Sequence, residues 1–186
     1  RAAVRWLALR KDRRASLPAK AAEYEDGCEF NEGLAKYTGY RLLQVLEGRV
    51  PGAAMSWAQG FAGYPDLAPR REQLIESMLK HMNGAVMVNN DPYGTAPLRM
   101  RLYYSGMAVG AMLDKLSSNW KSRIFSSDTS LTTLAEEALK PSSAELAHAL
   151  REARSDPAYA SLVQSKTKLA EEGKALPAGD QLPFTS

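Results

Sequence analysis

The chain has 186 residues, enough for one domain and short for two. Its apolar and charged fractions, 45% and 24%, are those of an ordinary globular protein and exclude a disordered or fibrous chain. A single cysteine, Cys28, excludes an internal disulfide and any cysteine-rich metal site. No apolar run approaches the roughly twenty residues that a membrane-spanning helix needs.

The net charge of +3 is concentrated at one end. There Arg1, Arg5, Arg10, Lys11, Arg13 and Arg14 are opposed only by Asp12. Such a block can touch phosphates or anionic lipid, but it holds Trp6 as its only aromatic, and it reads as the solvated face of a helix. Residues 1–16 carry Val4, Leu7 and Leu9 at helical positions, and Leu17-Pro18 ends that helix. The acidic stretch from Ala19 to Gly27 leads as a further turn into the next element.

From Cys28 to Leu46, Phe30, Leu34, Tyr37, Leu42, Val45 and Leu46 recur near helical spacing, which predicts one amphipathic helix. Glu32 falls near its start, where the helix dipole favours a carboxylate. Gly33 and Ala35 leave room beside it for a second helix. Gly48, Pro51 and Gly52 break the pattern, and residues 53–70 form an irregular segment carrying Met55, Trp57, Phe61 and Tyr64. Arg71 to Met82 is helical, with Leu74, Ile75, Met78 and Leu79 on one side, and stops at Asn83-Gly84. Ala85 to Val88 reads as extended, and Asn89 to Gly94 has turn chemistry.

Pro97 opens a helix to Leu116, in which Gly106, Gly110 and Ala111 form a small-residue face for close packing. A short helical piece from Trp120 to Phe125 follows, with Ser127-Asp128 as a cap. Helices are then predicted over Leu131–Leu139, Ser142–Arg154 and Pro157–Gly173, the second opening on a Ser-x-x-Glu capping box. Alternating β-branched residues are absent, so the class is mainly α, as a single helical domain over residues 1–186.

Two of these helices carry a resemblance. Asn31-Glu32-Gly33-Leu34-Ala35-Lys36-Tyr37 resembles the Asn-Glu-Gly-Phe-Ala-x-Tyr helix of gluzincin zinc metallopeptidases, in particular their aminopeptidase-N-like branch. It is also similar to a helix in a group of bacterial proteins that look like metallopeptidases. Tyr103-Tyr104-Ser105-Gly106, with the apolar stretch ending Leu113-Asp114-Lys115-Leu116, resembles the family's Tyr-x-x-Gly helix. The two stand in the family's order, and the resemblance spans Glu29 to Leu116.

The resemblance implies a helical domain like the C-terminal half of a gluzincin catalytic domain. It implies that Glu32 is the third protein ligand of a catalytic zinc, and that Tyr103 donates to the oxyanion of the tetrahedral intermediate. A register shift of one residue would give that role to Tyr104. Tyr37 would be a packing residue, and the aromatic segment from Trp57 to Tyr64 would line a cleft for a peptide substrate. The chain departs from the family in having no His-Glu-x-x-His, the source of two zinc ligands and the general base. Its only histidines, His81 and His148, lack partners at the required spacing and read as structural.

The chain opens without Met and in mid-helix, so it is expected to be a fragment whose His-Glu-x-x-His helix lies upstream, inactive alone. The other possibility is descent from such an enzyme with catalysis lost. The alternative from a different class is a helical module that binds protein or nucleic acid through the basic helix or the exposed aromatics. The confinement of basic residues to one end argues against nucleic acid.

Overall fold

A computed structural model describes residues 1–50, 52–57, 66–83, 96–117, 119–126 and 129–164. Among these the chain is mainly α, with no strand. The helices are α1 (Ala2–Ala15), α2 (Ala19–Cys28), α3 (Leu34–Leu46), α4 (Ala68–Met82), α5 (Ala96–Leu116), α6 (Trp120–Arg123), α7 (Leu131–Leu139) and α8 (Ser143–Arg154). A π-helical turn, Glu29–Gly33, joins α2 to α3, a 3-10 turn covers Ala53–Trp57, and residues 157–164 are also helical. The expected extended run at Ala85–Val88, the turn at Asn89–Gly94, the cap at Ser127-Asp128 and the residues from 165 onward lie outside the described residues.

Contacts divide the chain into two compact units, Arg1–Pro18 with Leu139–Ser186, and Ala19–Ala138. In the first, α1 packs on α8, burying Leu7, Ala8, Ala149 and Ala153. The capping box is present: the Ser142 hydroxyl accepts from Glu145 N–H, and the Glu145 carboxylate accepts from Ser142 N–H. The basic block is less solvated than its sequence suggests. Arg1 pairs with Glu152, Arg5 with Asp156 at 2.7 Å, and Asp12 with Arg154 at 2.7 Å. Arg10 is buried beneath the Trp6 ring. The carboxylates of Glu152 and Asp156 thus oppose Arg1 and Arg5, while Arg154 takes Asp12, the acid within the block itself.

In the second unit, α5 is the central helix, against which the π turn, α3, α4 and α2 pack. Here the sequence expectation for the central element needs correction. The helical run does not begin at Cys28, because α2, the π turn and α3 follow one another from Ala19 to Leu46 without a break. Glu32 is thus deep inside a helical run, and the N-terminal dipole does not explain its carboxylate. The apolar stripe differs too. Tyr37 is the buried residue of α3, while Leu42 and Val45 are about half exposed.

The buried residues of this run are instead Glu25, Glu29, Gly33 and Tyr37, each four positions from the last, and the last three of them meet α5. Four residues overshoot one α-helical turn by about 40°, so this series would drift by about 120° around a pure α-helix. The π turn lies in the middle of the series, and its wider i→i+5 winding absorbs the excess. That keeps Glu29, Gly33 and Tyr37 aimed at α5.

Candidate functional site

The π turn crosses α5 at a point where neither helix has a side chain. A Cβ built on Gly33 would lie 2.6 Å from Gly106 Cα, and one built on Gly106 would lie 2.4 Å from the Glu29 carbonyl oxygen. Only glycine allows this approach. It brings the backbones of the two family-like motifs into contact, and the flanking side chains meet along its edges.

One edge is buried. Glu29 is 2% exposed, and its carboxylate accepts a hydrogen bond from the Ser105 hydroxyl. The other edge is open. There the Glu32 side chain is 47% exposed, and its Oε1 lies 3.9 Å from an Nη of Arg99, in the first turn of α5. The Nε–H of the same Arg99 donates to the Tyr103 hydroxyl at 2.8 Å, and its guanidinium carbon lies 5.6 Å from the centre of the Tyr103 ring. Glu32 and Tyr103, one from each motif, therefore share a single cation. By accepting from Arg99, the phenol oxygen keeps its own proton for another acceptor.

Cys28 borders the same edge. Burial pushes its thiol above the ordinary value, Arg99 opposes that rise, and the Glu32 and Glu29 carboxylates add to it. A thiol so held stays protonated at neutral pH and is a poor nucleophile.

The adjacent tyrosine is in a different place. Tyr104 is 5% exposed, its ring centre lies 4.7 Å from that of His81, and Lys36 Nζ lies 4.6 Å from the centre of the Tyr104 ring. Of the two register choices, Tyr104 belongs to the core and Tyr103 to the open edge. His81 closes the last turn of α4, with its Nδ1 2.7 Å from the Ser77 carbonyl oxygen. His148 lies on α8, in the other unit.

Tyr37 is a packing residue as expected, and more. Its ring rests on Gly110, where a Cβ would fall 2.8 Å from Tyr37 Cγ. Its hydroxyl donates to Asp114 at 2.6 Å. Asp114 also accepts from Trp120 Nε1 at 3.1 Å and pairs with Lys121 at 2.8 Å and Arg41 at 3.4 Å, so it fastens α3 and α6 to α5. Burial works to raise the Asp114 carboxyl, but the hydrogen bonds from Lys121, Tyr37 and Trp120 outweigh it and hold the group below its ordinary value.

A catalytic zinc takes three protein ligands, here implied to be two histidines and Glu32. Among the described residues no three of His, Cys, Asp or Glu come together to hold a metal ion. The cation nearest Glu32 is Arg99, and these residues by themselves do not fit a zinc ion. Of the aromatic segment, Trp57 is described and is 86% exposed, and residues 58–65 lie outside the described set.

Sequence reading missed Arg99, Glu29 and Ser105. The signal for Arg99 was present, since it stands one helical turn before Tyr103, where two side chains meet. Glu29 was visible only as part of the four-residue series. In comparisons with known proteins, the chain matches no protein-family model, no curated protein and no solved structure.

Proposed function

We propose that this chain is the C-terminal helical part of a zinc metallopeptidase of the gluzincin type, in which Glu32 is a metal ligand and Tyr103 stabilises the transition state. The observation that supports this reading is the meeting of Glu32 and Tyr103 at one guanidinium, across the Gly33–Gly106 contact. Two motifs far apart in sequence thereby present an acceptor and a donor on one open edge.

The two imidazoles and the general base come, on this reading, from a His-Glu-x-x-His helix outside these 186 residues. A zinc ion held there with Glu32 would polarise the scissile carbonyl and activate a water. The chain's own residues do the rest. Glu32 offers an exposed carboxylate at a depth fixed by the π turn. Tyr103 offers a weakly acidic O–H, held by the Arg99 N–H on its oxygen, to the substrate oxygen that takes up negative charge.

The test is zinc content and peptidase turnover of the longer protein carrying such a helix, against its Glu32→Gln variant. The expected result is a loss of metal affinity of at least about tenfold together with turnover, since removing one of three ligands leaves an incomplete site. Zinc content and turnover unchanged in Glu32→Gln, or a parent reading frame without His-Glu-x-x-His, would leave the non-catalytic helical binding module.

A further inference from the structure

We draw no further inference here: the strongest candidate, the open cavity of about 440 Å³ between α1 and α8 lined by Arg1, Val4, Glu145, His148 and Glu152, carries nothing, because the Glu152 carboxylate is taken by Arg1 and that of Glu145 by the start of α8, and nothing in the structure shows what would fill it.

Discussion

Gly33 and Gly106 meet backbone to backbone: a methyl group on Gly106 would stand 2.7 Å from Gly33 Cα and 2.4 Å from the Glu29 carbonyl oxygen. The obstructing atoms are main chain, so no side-chain rotation relieves the clash. Gly106→Ala is expected to destabilise the protein by about 1–3 kcal/mol, the usual cost of overpacking. Gly39→Ala, at an exposed helical position with nothing within 4 Å, should instead stabilise it by about 0.5–1 kcal/mol. Chemical denaturation of both variants checks the pair. Equal effects would mean that the two helices do not cross at glycine.

Asp114 gives a prediction in pH. Its folded-state carboxyl is held below its ordinary value of 3.8, so its contribution is whole above that value and is lost as pH falls through the folded value. Asp114→Asn, which weakens four partners at once, is expected to cost about 2 kcal/mol at neutral pH. Melting curves should show the gap between the two proteins closing below about pH 4, as the wild-type carboxyl takes up its proton. A gap that stays constant into acid would show that the charge is not what Asp114 contributes.

Zinc added to the 186-residue chain alone should bind weakly. One carboxylate facing an arginine supplies too few donors, and the ion must first displace Arg99. Equilibrium dialysis finding tight, stoichiometric zinc would show that the ligand set is different and would bring His81 back into consideration.

Tyr103 and Tyr104 separate chemistry from packing. Each is changed to Phe in the longer protein that carries His-Glu-x-x-His. Either change removes one hydroxyl and should alter stability by no more than about 1 kcal/mol. A transition-state donor is worth about a hundredfold or more in turnover, and that loss is expected at Tyr103 with metal content unchanged. Tyr104, 5% exposed beside His81, should show little effect on turnover. Small and equal effects would make this helix a packing element, and a large loss at Tyr104 alone would move the register by one residue.

Several features were legible because they are local. The helices from Ala2, Ala96, Leu131 and Ser143 follow from periodicity, proline and capping, interactions that span one or two turns. Gly33 and Gly106 announced close packing because a missing side chain has few other uses in a helix interior. Tyr37 was readable as packing for the same kind of reason, since aromatic residues on a helix face tend to be buried.

What the sequence by itself determined, then, is the helical class, most helix boundaries and the two motifs that carry Glu32 and Tyr103. What only the tertiary structure decided is which groups those helices turn toward each other. The π turn was hidden because a helical period of 3.6 is the default reading, and a series at four-residue spacing stays on one face only when a partner helix holds it there. The half-exposed Leu42 and Val45 show the same rule from the other side, since apolar spacing gives a stripe but not the neighbour that covers it. Arg99 was one more basic residue in the chain until the Gly33–Gly106 crossing set Glu32 within 3.9 Å of it. Charge is read locally in a sequence, whereas an ion pair between distant positions exists only once burial and backbone contact have fixed the distance.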